Sequence, residues 1–145
     1  MKRTLIVLST LALGATAVLA ESDAIAKRQA LMKANGKATG PIVAIMKGGP
    51  FDLAAVQTAL KTYADSAEKG PALFPDDSKT GGDTEALPAI WENKKDFEAH
   101  FAKLGADANE ALNTIKDEAT FKTIMPNVLK NCGGCHETYR EKKKS

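Results

Sequence analysis

The chain has 145 residues, of which 43% are hydrophobic and 26% are charged, a composition that suits one globular domain with a modest core. Lysine and arginine total 20 and aspartate and glutamate total 18, giving a formal net charge of +2. The basic residues are scattered and aromatic residues are few, so nothing in the composition indicates binding to nucleic acid.

The first 20 residues predict a secretory signal peptide. Lys2 and Arg3 precede a mostly apolar run from Leu5 to Leu19, and Val18-Leu19-Ala20 provides small residues at the usual cleavage positions. A membrane anchor is the alternative interpretation. The apolar run is short for a span and lacks a stop-transfer flank, so we expect cleavage and export to the bacterial periplasm.

Cleavage would leave a mature chain that begins at Glu21 and forms one domain over residues 21–145, without a membrane span. Loss of Lys2 and Arg3 leaves 18 basic and 18 acidic residues. The mature protein is therefore not basic overall.

Apolar residues at steps of three and four predict two helices in the first half of the mature chain. The first runs from about Ser22 to Lys47 and stops at Gly48-Gly49-Pro50. Asp52 is expected to cap the second helix, which ends at Gly70-Pro71.

A long connection over residues 72–87 separates these helices from two more. The third is predicted to begin near Pro88 and to continue to about Ile115. Asp117 is expected to cap the fourth, in which Pro126 predicts either a kink or the start of the main helix. Four amphipathic segments with no strand signal predict an all-α protein, an antiparallel four-helix bundle.

The clearest chemical signal is the stretch Cys132-Gly133-Gly134-Cys135-His136. C-x-x-C-H is the attachment signature of c-type haem. Each thiol can add across one haem vinyl group, and the histidine that follows can bind the iron. These are the only cysteines in the chain, so one covalent haem c would leave no free thiol.

Three other interpretations of this stretch fit less well. A thioredoxin-like dithiol is expected after a strand in a βαβ pattern, which this chain lacks. Structural zinc needs four ligands. The second histidine, His100, is far away in sequence and is given no role. A disulfide between cysteines three residues apart on one helix has unfavourable geometry.

The order of several motifs resembles that of the class II c-type cytochromes, the cytochrome c′ family. That family carries C-x-x-C-H near the C-terminus, on the last helix of a bundle. Arg28-Gln29-Ala30-Leu31-Met32 is similar to its first-helix motif, and Cys132 to Arg140 is similar to its haem-bearing end. The middle section is also similar, at Leu73-Phe74-Pro75, Gly81-Gly82 and Pro88-Ala89-Ile90-Trp91.

The resemblance implies a role for individual residues. Cys132 and Cys135 would carry the thioethers, and His136 would be the proximal iron ligand. Arg28 would lie near a haem propionate, and Arg140 beside the proximal face. The alternative for either arginine is a surface salt bridge, which contributes little stability.

The resemblance also places Met32 at the distal position. In one branch of the family a methionine of the first helix binds iron, which raises the reduction potential and suits electron transfer. In the other branch the iron is five-coordinate and binds gases. The stretch from Leu31 to Gly36 most resembles the first branch, although a methionine also packs well without bonding. Met46 and Met125 are less suitable as ligands.

These observations predict a periplasmic one-electron carrier that exchanges electrons with redox partner proteins. No nucleophile–base pair suggests an enzyme. The alternatives are a five-coordinate haem protein that binds nitric oxide or carbon monoxide, and a dithiol protein without haem. The family often forms homodimers through its first two helices, and Ile42, Ile45 and Val56 fit either a core or such an interface.

Overall fold

The structure, a computed structural model, describes the backbone of residues 13–142 and the side chains of residues 23–142. Most of the predicted signal peptide lies outside this range. The described chain contains four long helices and no β-strand, which confirms the predicted all-α bundle. No helix in it is both long enough and apolar enough to cross a membrane. The helices are α1 (Leu13–Met46), α2 (Leu53–Lys69), α3 (Ala89–Glu92), α4 (Lys94–Thr114) and α5 (Glu118–Tyr139).

Helix α1 ends and helix α2 begins where the turn-forming residues of the sequence predict. Gly48 adopts φ of 95°, a conformation that favours glycine, and α1 ends two residues before it. The Asp52 carboxylate accepts hydrogen bonds from the backbone nitrogens of Ala54 and Ala55 at 2.9 and 3.1 Å. The prediction that Asp52 caps α2 is therefore confirmed. The predicted start of α1 near Ser22 is wrong, because the helix already runs from Leu13.

The single helix predicted from Pro88 is divided in two. Asn93, a poor helix former, leaves the helical conformation with φ of −124° and ψ of 46°. Trp91 and Lys94, on either side of Asn93, form hydrogen bonds with the preceding loop. The indole nitrogen of Trp91 donates to the carbonyl of Pro75 at 3.1 Å, and the ammonium of Lys94 donates to the carbonyl of Phe74 at 2.8 Å. The break lets this short helix and the loop pack together.

Helix α5 begins with a capping box. The backbone nitrogen of Thr120 donates to the Asp117 carboxylate at 2.8 Å, while the Thr120 hydroxyl accepts from the backbone nitrogen of Asp117. The helix then continues through Pro126 to Tyr139 without interruption. A main helix that starts at Pro126 is therefore wrong, and the proline side chain lies on the exposed face.

Two apolar clusters fill the bundle. The larger lies among α1, α2, α4 and α5, and it buries Ile42, Ile45 and Val56, so these three residues belong to the core. The smaller cluster is mostly aromatic and packs against Met32 and Cys135; its buried members are Phe74, Ile90, Phe97, Phe101 and Tyr139. Full burial of such a side chain contributes about 1.5–3 kcal/mol.

The helices pack in the order α1, α2, α4, α5, and α1 makes almost no close approach to α5. The bundle is therefore open on one side, between its first and last helices. The aromatic cluster lies at the inner end of this opening.

A substitution at Gly70 would test how tightly the aromatic cluster is packed. A Cβ atom there would lie 2.2 Å from the Phe101 ring. We expect Gly70→Ala to lower the free energy of unfolding by about 1–3 kcal/mol through overpacking, measured by urea denaturation. In a Phe101→Leu background the same substitution should cost less, because the ring edge is gone. Equal costs in both backgrounds would contradict this account.

Candidate cofactor site

A cavity of about 870 Å³ occupies the opening between α1 and α5. Its size is within the range of about 300–1,000 Å³ that is typical of small-molecule and cofactor sites. Its walls are mainly apolar. All six residues predicted from the sequence to bind cofactor or iron line it: Arg28, Met32, Cys132, Cys135, His136 and Arg140.

Helix α5 presents the C-x-x-C-H motif to this cavity. Cys132, Cys135 and His136 are spaced by three and four residues, so they share one face of the helix. All three side chains are half-buried, whereas Gly133 and Gly134 lie on the exposed face. The cysteines are not bonded to each other. The motif therefore directs two thiols and an imidazole toward one space.

The electrostatic environment of the thiols differs from that of a reactive dithiol. Burial raises the pKa of both, and the pKa of Cys135 reaches about 11 with a further contribution from Cys132. Both groups are consequently protonated at neutral pH. Redox-active dithiols have lowered pKa values, commonly at a helix N-terminus, whereas this pair lies in the last two turns of α5. The dithiol alternative is disfavoured.

Burial also lowers the pKa of His136, and the positive charge of Arg140 one turn later lowers it further. Glu85 opposes this shift. The imidazole is therefore neutral at neutral pH, which is the form that ligates metals.

Arg28 is the most informative residue of the opposite wall. It is only 4% exposed, and its guanidinium lies 4.9 Å from the centre of the Phe74 ring. It donates to the hydroxyl and carbonyl of Ser78 at 3.0 and 3.1 Å and to the hydroxyl of Thr84. Burial lowers its pKa. A surface salt bridge does not describe this residue.

Among the described residues, no carboxylate lies within 4.0 Å of the Arg28 guanidinium. A buried cation without a counterion is costly. A negatively charged group in the cavity, such as a haem propionate, would supply the missing charge. The residues present therefore fit the predicted cofactor.

The methionines are placed as the sequence predicts. Met32 is half-buried, lines the cavity from α1 and packs against the aromatic cluster. Met46 is 46% exposed at the end of α1, and Met125 is buried in the larger cluster. Neither lines the cavity, so Met32 is the methionine that faces the wall carrying His136.

Arg140 lies where α5 ends and the chain becomes extended. Its side chain is exposed at the cavity rim. The backbone on either side of it pairs with the loop before α3: Leu87 donates to the carbonyl of Tyr139 at 3.1 Å, and Glu141 donates to that of Glu85 at 2.8 Å. The end of the motif-bearing helix is thus attached to the loop beside it.

Sequence reasoning missed a polar group next to the motif. The Tyr139 hydroxyl donates to the Asp96 carboxylate, and Nε2 of His100 lies 3.6 Å from the same oxygen. Tyr139 and His100 both line the cavity, although no role was assigned to His100. Its spacing from Phe97 and Leu104, at helical steps of three and four, could have indicated this position.

Comparisons with known proteins agree with these features. The sequence profile described as Cytochrome C′ matches residues 23–140. A cytochrome c′ of Rhodopseudomonas palustris is 53% identical over 132 residues, covering 90% of both chains. A cytochrome c-556 of Agrobacterium fabrum is 46% identical over 121 residues, covering 82% of both chains.

Solved structures extend the similarity to the fold. The chain resembles a structure of cytochrome c′ from Rhodopseudomonas palustris with a TM-score of 0.82 and 54% identity, over 84% of this chain and 98% of that one. It also resembles a structure of oxidised cytochrome c556 from Rhodopseudomonas palustris, with a TM-score of 0.76 and 36% identity, over 85% and 99% of the two chains. The predicted family resemblance and bundle fold are confirmed.

The bond between Tyr139 and Asp96 predicts a pH dependence of stability. The hydrogen bond and burial raise the pKa of Tyr139 to about 12, against about 10 in an unfolded chain. Because the folded state holds this proton more tightly, its contribution is complete below about pH 10 and is lost between about pH 10 and 12.

We expect Tyr139→Phe to reduce the fall in unfolding free energy above about pH 10, measured by urea denaturation over a pH series. Asp96→Asn keeps a hydrogen-bond acceptor without the charge, so it should have an intermediate effect. An unchanged alkaline slope in Tyr139→Phe would contradict the assignment.

Proposed function

The chain belongs to the cytochrome c′ family, whose members carry covalently attached haem c, and we propose that it is a periplasmic one-electron carrier with His/Met-ligated haem iron. The observation that carries the proposal is the placement of Met32 and His136 on facing walls of one cavity. Bound haem c supplies an iron that cycles between the ferric and ferrous states.

In this proposal the residues of α5 hold the cofactor. Cys132 and Cys135 would hold the group through two thioethers, each made by addition of Sγ–H across one vinyl group, with the hydrogen on the other vinyl carbon. This addition needs no oxidant or reductant. His136, neutral and half-buried, would be the proximal ligand. Both cysteines and the histidine are on one helix face, so all three can act on a single group.

The two arginines would act through charge. Arg28 would compensate one propionate, because its guanidinium is buried and already oriented by Ser78 and Thr84. Arg140, exposed one turn after His136, would lie beside the proximal face. A cation near the iron site favours the reduced, less positive state.

Met32 would be the distal ligand. Its thioether is a soft, neutral ligand that raises the reduction potential and occupies the position at which a gas would bind. Two protein ligands retained in both oxidation states would keep the geometry nearly constant. The site would then suit electron transfer to and from redox partner proteins.

A five-coordinate protein that binds nitric oxide or carbon monoxide is the second candidate. It is favoured by the mainly apolar lining and by the flexibility of Met32, which can pack over the cofactor without bonding. The named cytochrome c′ is more similar to this chain than the named cytochrome c-556, at 53% against 46% identity, but both names occur among relatives of one family.

Export and assembly are part of the proposal. The signal peptide would comprise residues 1–20, and the mature domain residues 21–145; the family match from residue 23 supports this division. One cytochrome c′ structure, 29% identical with a TM-score of 0.74, is described as having a ligand-controlled dimer dissociation. A homodimer of this chain would need surfaces other than Ile42, Ile45 and Val56, which are buried.

Covalent attachment can be tested on the exported protein. We expect Cys132→Ser and Cys135→Ser each to retain haem through one remaining thioether, and the double variant to lose it on denaturation. Haem staining after denaturing electrophoresis and the intact mass report both results. The wild-type mass should equal the chain from Glu21 plus one haem. Free haem from denatured wild-type protein would contradict the assignment.

Ligation by Met32 can be tested by optical spectra of both oxidation states, with and without carbon monoxide. We expect the wild type to be low-spin and unchanged by carbon monoxide. Met32→Ala should be high-spin and bind carbon monoxide, because the distal position is open. Met46→Ala, an exposed methionine on the same helix, is the matched control and should resemble the wild type. A high-spin wild type that binds carbon monoxide would instead support the gas-binding function.

A further inference from the structure

Helix α1 carries an excess of positive charge beside the cavity. Residues 24–51 contain no aspartate or glutamate, but they contain five basic residues: Lys27, Arg28, Lys33, Lys37 and Lys47. The predicted mature chain has 18 basic and 18 acidic residues, so this charge is a local excess. Lys27 pairs with Asp23, and Arg28 is buried. Three exposed lysines remain.

Two of these lysines, Lys33 and Lys37, border the mouth of the cavity. Both are exposed, and Lys33 lines the cavity. Because they are four residues apart, they share one face of α1. Neither belongs to an ion pair between described residues, although Asp83 and Glu85 of the loop before α3 line the same cavity. Like charges at this spacing destabilise a helix, so helix stability does not explain the pair.

Other lysines of the bundle have acidic partners on their own helices. Each of the four long helices has one lysine that pairs with an acidic residue four positions away, at 2.5–2.6 Å: Lys27–Asp23, Lys69–Asp65, Lys103–Asp107 and Lys122–Glu118. At the same spacing Lys33 has Gln29 and Lys37, and Lys37 has Pro41. The two lysines therefore have no acidic partner at this spacing on α1.

The surface next to the two lysines is open to a second molecule. Gly36 follows Lys33 by three residues and Gly40 follows Lys37 by three, and both glycines are exposed. A Cβ atom at either glycine would have no neighbour within 4 Å. A partner can therefore approach this side of α1 closely, at the mouth of a cavity that opens between α1 and α5.

We propose that this basic rim, formed by Lys33 and Lys37 with Gly36 and Gly40 beside them, is the docking surface for a redox partner protein whose own surface carries carboxylates. This inference rests on the proposed function and adds the chemistry of the partner. One electron would pass between the two proteins across the rim, with no bond formed or broken. Attraction between opposite charges would raise the association rate and orient the partner.

The same observations argue against two other occupants of the basic rim. In a two-fold dimer through the rim, the same patch of both copies would meet, which brings lysines against lysines. A membrane surface needs inserted apolar side chains or a cluster of about four to eight basic residues. Among the described residues, Met46 is the only large apolar side chain that is exposed, and the rim has two lysines. An acidic protein surface is the occupant that fits.

The test measures oxidation of the ferrous holoprotein by two oxidants of opposite charge, ferricyanide and tris(phenanthroline)cobalt(III), by stopped flow at several ionic strengths. In Lys33→Glu/Lys37→Glu we expect the ferricyanide rate at low ionic strength to fall about tenfold and the cobalt rate to rise. Both effects should shrink with added salt, which screens exposed charges. A changed reduction potential would alter both rates in the same direction, so the opposite signs identify an effect of charge.

Poly-L-glutamate is the probe for an acidic partner surface. At low ionic strength it should slow the oxidation of the wild type by ferricyanide, because it covers the basic rim, and it should lose most of this effect in Lys33→Glu/Lys37→Glu. Lys61→Glu/Lys95→Glu is the matched control. It makes the same change of charge at exposed positions of α2 and α4 that do not line the cavity. We expect the control to change either rate less than about twofold.

An unchanged ferricyanide rate in the rim variant, or equal effects in the rim variant and the control, would overturn the docking surface. Self-association of the wild type, or its binding to phosphatidylserine vesicles, that is lost in the rim variant would assign the rim to a second copy or to a membrane and would also overturn it. The electron-carrier function fails by a different result, namely carbon monoxide binding to the wild type. The oxidation rates test the rim in either case.

Discussion

The separation of α1 from α5 is the constraint on which the rest of this molecule depends. A four-helix bundle normally closes by packing its first helix against its last, but here the closest approaches between long helices are those of α1 with α2, α2 with α4, and α4 with α5. The facing surfaces carry Met32 on one side and the C-x-x-C-H motif on the other. A group bound between them would complete the core, so cofactor binding and the stability of the bundle are linked.

Arg28 shows how the chain is adapted to such a group. Its guanidinium is held by Ser78 and Thr84 and packed on Phe74, all in the connection between α2 and α3. None of these contacts neutralises its charge. The long connection therefore holds a buried cation that has no carboxylate partner among the described residues.

Much of this architecture could be predicted because local signals agree with one another. The cap at Asp52, the glycine stop after α1 and the cavity-facing motif on α5 each follow from a few adjacent residues. The break at Asn93 could not be predicted, because it depends on loop contacts made by its neighbours Trp91 and Lys94. Tertiary contacts of this kind outweigh the modest differences in helix propensity.

The features of the candidate site also divide into those that the sequence predicts and those that it does not. That Cys132, Cys135 and His136 share one face of α5 could be predicted from their spacing alone, whereas the Tyr139–Asp96 hydrogen bond joins residues 43 positions apart. Hydrogen bonds between helices depend on how each helix is rotated about its axis. Hydrophobic periodicity identifies which face of a helix is buried, but not the exact rotation that aligns two polar side chains. A hydrogen bond from the Ser66 hydroxyl to the Asn35 side chain, across 31 positions, was missed for the same reason.

The short pairing between residues 85–87 and 139–141 has a consequence for the end of the chain. Two backbone hydrogen bonds join the segment after α5 to the loop that forms one wall of the cavity. Truncation immediately after Arg140 would leave every predicted site residue in place yet remove Glu141 as a donor and leave only the bond from Leu87. The segment after α5 would then keep one of its two backbone hydrogen bonds to the loop, and local separation of the two would become easier. The segment after α5 therefore helps to hold the cavity wall in place. A fusion partner should be joined through a spacer beyond this segment.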